Sequence, residues 1–322
     1  MNLTMKKGLI FIFVSILIFS ACVYIAKPKD GKKSVSDKIK IVATLYPQYD
    51  FAKQIGGEKV EVSMLLTPGT ETHTYEPTPQ DIINVNDSDV FVYTGKYMEP
   101  WADRIISSVD SNTKVLDASQ NTNMIKSEDD EEHDEHEEEN HNHEHHHEYD
   151  PHIWLDPNNA VIMVENITNQ LCSIDAQNAD YYKSNSQTLI SQIRQVDADI
   201  ESLVNNSKNK KIAFGGTFAY AYFVNRYGLE YVTAYDSCGE SAEPSVAKVK
   251  EVIDYMRENN IKVVFYQELS AGKIADSIAS ETGAKKLIFH TIHNASQDEI
   301  NNGETYVSLM KKNLENLKIA LQ

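Results

Sequence analysis

Two blocks of strand–helix alternation, separated by one long helical stretch, constrain this chain more than any other feature. In the first block, strands are predicted at Lys38 to Leu45 (KIKIVATL), Lys59 to Leu66, Ser88 to Tyr93 and Val115 to Asp117. Pro47 opens a helix that Gly56-Gly57 closes, with Pro early and Gly late as helix ends prefer. Thr78-Pro79-Gln80-Asp81 is a second helix start, with a capping hydroxyl and Pro at the first helical position. A third helix, Glu99 to Val109, carries Trp101. From Asn158 to Asn206 the pattern is helical throughout, broken only near Asp175 to Asn178. Its second part places Tyr182, Leu189, Ile193, Val196, Ile200 and Leu203 on one apolar stripe. Alternation then resumes, with strands at Lys211 to Phe214, Glu230 to Thr233, Lys262 to Tyr266 and Lys286 to Phe289. The intervening helices run about Phe218 to Tyr227, Ser245 to Asn259, Ala271 to Thr282 and Glu304 to Leu321.

Such alternation predicts an α/β fold of two lobes, each a mostly parallel sheet flanked by helices, joined by one long linking helix. Ligands in open α/β sheets bind outside the carboxyl ends of the strands, so the cleft between two such lobes is the expected site. The lobes are expected at residues 38–177 and 208–322, with the linking helix at 178–207. With 322 residues, the chain is long enough for each lobe to have a core of its own.

Ahead of the first lobe, Lys6 and Lys7 precede an apolar run from Gly8 to Ala21. That run is short of the roughly 20 residues a membrane span needs, and a basic start before a short apolar stretch reads as a signal peptide, residues 1–21. It ends at Phe19-Ser20-Ala21-Cys22, where small residues admit a signal peptidase and the cysteine thiol would take a lipid. Residues 22–37 then form a tether rich in Lys, Ser and Asp, which leaves the mature protein anchored outside the cytoplasmic membrane. An oxidising compartment permits a disulfide between Cys172 and Cys238, and two separate buried thiols fit the sequence equally well.

Charge is concentrated rather than spread. The run from Glu128 to Glu148 holds 12 acidic residues and no basic ones; set apart from the net of −18, it leaves only −6 on the rest of the chain. No Lys/Arg face with interleaved aromatics is present, so nucleic acid is not an expected partner. The same run, extended to Tyr149, holds seven of the 11 histidines: His133, His136, His141, His143, His145, His146 and His147. A segment this poor in apolar residues cannot pack a core and is expected to be a disordered loop, residues 128–149. Imidazoles set among carboxylates favour zinc, copper or nickel, which the loop would collect loosely.

Four histidines remain: His73, His152, His290 and His293. His73 follows the strand ending at Leu66, His152 lies in Asp150-Pro151-His152-Ile153-Trp154-Leu155-Asp156-Pro157, and His290 and His293 follow the strand ending at Phe289. All four therefore sit on loops of the kind that line the cleft, where several imidazoles from distant loops could hold one zinc ion at roughly 2.0 to 2.2 Å. Ligating imidazoles give their other N–H to a carboxylate or carbonyl, and Glu76, Asp150, Asp156 and Glu268 are the nearest carboxylates in sequence.

On these residues the chain resembles the substrate-binding proteins of zinc and manganese ABC transporters, the cluster A-I family. The resemblance rests on His73 with Tyr75-Glu76-Pro77-Thr78-Pro79, on the acidic His-rich loop and on the Asp150 to Pro157 motif. Tyr227-Gly228-Leu229, Ala242-Glu243-Pro244-Ser245 and Glu281-Thr282-Gly283-Ala284 continue it. It implies two lobes on a rigid linking helix, one metal in the cleft, and docking of the loaded protein on a membrane permease. A His-rich loop in this place goes with the zinc members. The resemblance makes His73 and His152 the first two ligands and aligns the last with His293. It fails at the third ligand, where the first strand of the second lobe runs into Phe214-Gly215-Gly216-Thr217-Phe218, without imidazole or carboxylate. A water, His290 or a loop histidine is then expected to complete the shell.

The alternatives are a zinc hydrolase, a metal-storing or adhesive surface protein, and a manganese or iron carrier. The chain has neither His-Glu-x-x-His nor Gly-x-Ser-x-Gly, so an enzyme is not expected; Glu268 was the only general base to nominate. Nothing in the sequence demands more than a monomer.

Overall fold

The structure is a computed structural model that describes residues 38–127 (except 69, 71 and 74), 148–235 and 244–322. The expected signal segment, Cys22 with its tether, the seven loop histidines and Cys238 lie outside the described residues. Among the described residues no helix is long and apolar enough to cross a membrane.

The first half folds as β1 (Ile39–Ala43), α1 (Tyr46–Gly56), β2 (Val60–Met64), α2 (Pro79–Asn86), β3 (Val90–Tyr93), α3 (Ala102–Ile106), β4 (Lys114–Asp117) and α4 (Pro157–Ile174). The 28-residue helix α5 (Ala179–Asn206) follows, about 42 Å long at 1.5 Å per residue. The second half is β5 (Lys211–Phe214), α6 (Ala221–Tyr227), β6 (Glu230–Thr233), α7 (Val246–Glu258), β7 (Val263–Tyr266), α8 (Lys273–Thr282), β8 (Lys285–Ile288), α9 (Gln297–Asn301) and α10 (Tyr306–Ala320). All eight strands expected from the sequence are present; α9 was not expected.

Each sheet has four strands, in the orders β2-β1-β3-β4 and β6-β5-β7-β8, and every pairing is parallel. In each, the chain leaves the first strand toward one edge and returns to the other side. This puts a switch point between β1 and β3 and another between β5 and β7, where carboxyl ends splay and a site can form. The inner strands are buried on both faces, so they read as near-continuous apolar runs such as Val90-Phe91-Val92 rather than as alternation.

The stripe on α5 is buried at Tyr182, Ser186, Leu189, Ile193, Val196, Ile200 and Val204, with Val204 taking the place expected for Leu203. It packs on α4 and α1, and the last helix, α10, returns to pack on both α5 and α1. One consequence corrects the expectation of separate cores. A single apolar cluster runs from Ile41, Phe91 and Trp154 through Ile193 to Phe214, Phe289 and Tyr306, across both halves. Only a smaller cluster stands apart, made by Ala213, Val232, Val252, Met256, Val264, Ala275 and Ile278 between the second sheet and α7 and α8.

The acid- and His-rich run was expected to span residues 128–149, but its end is placed. Tyr149 forms an antiparallel bridge with Lys126, and Ser127 N–H donates to Glu148 O at 3.2 Å. Cys172 is half-buried, with its Sγ 3.7 Å from Ala179 O.

Candidate metal centre

His73, His152 and His293 come together, each offering a ring nitrogen, with these atoms within 4.8 Å of one another. Their ring centroids lie 5.7 Å apart for His73 and His152, 5.9 Å for His73 and His293, and 4.6 Å for His152 and His293. A tetrahedral zinc with ~2.0–2.1 Å bonds holds its nitrogens about 3.4 Å apart, a spacing that small side-chain rotations would reach. Trp154 walls the group, with its ring 5.7 Å from His152 and 5.4 Å from His293.

His152 is placed by its local sequence. Asp150 Oδ1 accepts from His152 N–H at 2.8 Å, an Asx-type turn across Pro151, and a 3-10 turn (Ile153–Leu155) follows. Asp156 then caps α4 by accepting from Asn158 N–H at 2.9 Å, with Pro157 at the first helical position. The same Asp150 Oδ1 lies 2.9 Å from His152 Nδ1. An ionised carboxylate only accepts, so Nδ1 carries the proton and the Nε2 lone pair is left to ligate. Burial pushes the Asp150 carboxyl up, but the neighbouring His152 and its two N–H bonds outweigh that and hold it below the usual range.

His293 is set by a denser arrangement. Ile292 before it has φ 61°, a left-handed conformation that a β-branched residue adopts only when its surroundings impose it. Those surroundings are Trp154 Nε1–H donating to Thr291 O at 2.8 Å, Tyr46 N–H donating to His293 O at 3.1 Å, and Asn294 Nδ2 donating to Thr67 O at 3.0 Å. Glu268, just past β7 at the switch point of the second sheet, accepts from Thr291 N–H at 2.7 Å and from its hydroxyl. The hydroxyl proton is thereby committed to Glu268, so Thr291 Oγ1 accepts from His293 Nδ1–H at 2.7 Å. His293 Nε2 is left buried with no hydrogen-bond partner. Burial, then the neighbouring His152, His73 and His290, depress the pKa of His293 well below that of a free imidazole, so it is neutral, as a ligand must be.

His73 is half-buried on the segment between β2 and α2. Trp101 Nε1–H holds Thr72 O at 2.9 Å, and Tyr75 packs edge-on against Trp101 at 5.0 Å. The predicted start of α2 is a full capping box: Thr78 accepts from Asp81 N–H, and Asp81 accepts from Thr78 N–H at 2.7 Å.

Of the four carboxylates singled out, Asp150 and Glu268 face the imidazole system, Glu268 through Thr291. Asp156 is engaged by its capping bond and by Arg226 Nε at 3.3 Å, and Glu76 is exposed. His290, one of the three candidates for completing the shell, is not among the histidines that come together. His290 Nδ1 accepts from Ile292 N–H at 2.9 Å, while its buried Nε2 has no hydrogen bond and lies 3.4 Å from Glu299 Oε1. Asn313 of α10 brackets its backbone with bonds of 2.7 and 2.8 Å. Thr291 and Asn313 were not anticipated. Thr291 adjoins two histidines and was findable, whereas Asn313 carries no local signal.

The missing third ligand has a steric counterpart. A Cβ on Gly215 would lie 2.7 Å from Ala275 Cα in α8, so no side chain fits there without backbone movement. At Gly216 the nearest atom would be 3.5 Å away, an ordinary contact.

Comparisons with known proteins place the chain in a family. The family profile described as zinc-uptake complex component A, periplasmic (ZnuA), matches residues 41–320. The high-affinity zinc uptake system protein ZnuA of Bacillus subtilis is 36% identical over 98% of this chain and 97% of its own length. The zinc-binding lipoprotein AdcA of Streptococcus pneumoniae is 30% identical over 95% of this chain, which spans only 60% of that longer protein. The Zn(II)-bound ZnuA-like domain of S. pneumoniae AdcA superposes with a TM-score of 0.73 at 27% identity, over 88% of this chain and 99% of the domain. With its histidine cluster between two parallel sheets and a family match over nearly the whole described length, this chain belongs to the ZnuA family.

Proposed function

We propose that this chain binds one zinc ion through His73, His152 and His293 outside the cytoplasm and delivers it to the membrane permease of an ABC-type uptake system. The observation that carries this reading is the protonation pattern. Asp150 and Thr291 fix the Nδ1 protons of His152 and His293, and the His293 Nε2 lone pair is buried without a partner. An all-imidazole set favours zinc over manganese, which prefers oxygen. The zinc-binding relatives support the same cargo. A fourth ligand comes from water, His290 or a histidine of the acidic loop, which gathers metal. The mature protein is a monomer held at the membrane by lipid on Cys22. Glu268, the one general base a hydrolase reading would nominate, has both carboxylate oxygens engaged by Thr291, which favours binding over catalysis.

The test is a zinc titration of the mature chain, residues 22–322, against a competing chelator. One site is expected to bind far more tightly than any other, and His152→Ala is expected to abolish it without unfolding the protein. Unchanged affinity in that variant removes His152 from the site, and several sites of similar strength would make the protein a store.

A further inference from the structure

The segment that joins β5 to α6 is where the family's third ligand is missing, yet it and the first turn of α6 reach the backbone of two of the three ligand loops. Tyr220 Oη donates to Phe289 O, at the start of the turn that carries His293. Tyr222, in the first turn of α6 and 1% exposed, points its hydroxyl across to the first half. It donates to Asp150 O at 2.8 Å and accepts from Ile125 N–H at 3.0 Å. Asp150 N–H in turn donates to Ile125 O at 2.9 Å, so the phenol closes a compact ring of bonds around Asp150. The side chain of that Asp150 fixes both the backbone N–H and the Nδ1 proton of His152.

We propose that Tyr222 is a positioning residue for the metal site: a hydroxyl from the second half that fixes Asp150, and through it the direction of the His152 lone pair. The inference rests on the zinc site proposed above. The geometry also gives a physical reason for a tyrosine here. The Asp150 carbonyl and the Ile125 N–H are part-buried main-chain groups, and one phenol satisfies an acceptor and a donor at once. Without it, Asp150 keeps its own bond to Ile125 but loses its tie to the opposite half, and the carboxylate that orients His152 is free to swing.

The experiment uses the full mature chain with Tyr222→Phe, Asp150→Asn and the double variant. The buried ring is kept in Tyr222→Phe, and a thermal melt of the metal-free protein checks that it folds. Zinc affinity is measured against a competing chelator, and the ligand-field spectrum is recorded with cobalt(II) in place of zinc. Tyr222→Phe is expected to weaken zinc about tenfold, in the range for groups that orient ligands, and to shift the cobalt bands. On the Asp150→Asn background the same change is expected to cost less than about twofold, because the group it acts through is already altered. Affinity within twofold of wild type, or an undiminished tenfold loss in the double variant, overturns the proposal. A wild-type protein without a tight site, or a His152→Ala variant that binds like wild type, instead sinks the zinc reading on which it depends.

Discussion

At the scale of single residues, the site is governed by where two protons sit. The Nδ1–H of His152 is held by a carboxylate directly, and that of His293 through the hydroxyl of Thr291, which donates its own hydrogen bond to Glu268. Thr291→Val keeps the shape of the side chain and removes the relay. It is expected to lower zinc affinity ten- to a hundredfold with little loss of metal-free stability, measured by chelator competition. No change would mean that the imidazole finds its tautomer without help. Sequence alone brought forward His73, His152, His293, Asp150 and Glu268 as candidates because each lies on a loop after a strand or at a loop-to-helix junction, positions that patterning locates. It did not separate them from His290, Glu76 and Asp156, since spacing carries no information on side-chain direction. Asp156 shows the point: the motif that holds His152 also needs a helix cap, and Asp156 serves as that cap.

At the scale of elements, the switch point of the first sheet holds a buried acid that the metal site does not use. Glu99 accepts from the hydroxyls of Thr44 and Thr94 and from the N–H groups of Thr94 and Gly95, joining the carboxyl ends of β1 and β3. Burial nonetheless dominates and pushes its carboxyl from 4.5 up to about 7. A folded-state pKa above the unfolded one gives a contribution fully present below about pH 4.5 and lost as pH rises through about 7. The loss amounts to about 3 kcal/mol. Glu99→Gln offers an oxygen to the backbone donors and an NH2 to the two hydroxyls, so it removes the titration and keeps the bonds. Its melting temperature, metal-free and relative to wild type, is expected to rise between pH 5 and pH 8. A constant difference across that range would show that Glu99 stays ionised in the fold. Most elements were legible because parallel strands buried on both faces are apolar runs, and because Pro and Gly mark the helix ends. Helix α9 escaped because it has only five residues, too few for a periodic stripe, although its capping pair Ser296 and Glu299 is present in the sequence.

At the scale of the molecule, the pattern of two sheets suggests two bodies, but the packing describes one. The apolar cluster is continuous from the first sheet through α5 to the second, and α10 returns to pack on helices of the first half. Polar ties cross as well. Arg226 in α6 pairs with Asp197 of α5 at 2.6 Å and with Asp156 at 3.3 Å, and Tyr306 N–H donates to Asp50 at 2.8 Å. The sequence could not reveal this, because the shared core is built from residues far apart in the chain whose apolar character is also satisfied by two separate cores. With the main core shared by both halves and only a smaller cluster apart in the second, the described body is expected to unfold in one cooperative transition by calorimetry, even without metal. Zinc at about 1,000 times its dissociation constant should then add about 4 kcal/mol and move the whole transition upward by roughly 5–15 °C. His152→Ala should melt near the metal-free temperature with or without zinc. Two resolved transitions, only one of them responding to zinc, would mean that the halves are energetically independent and that the metal, not the shared core, joins them.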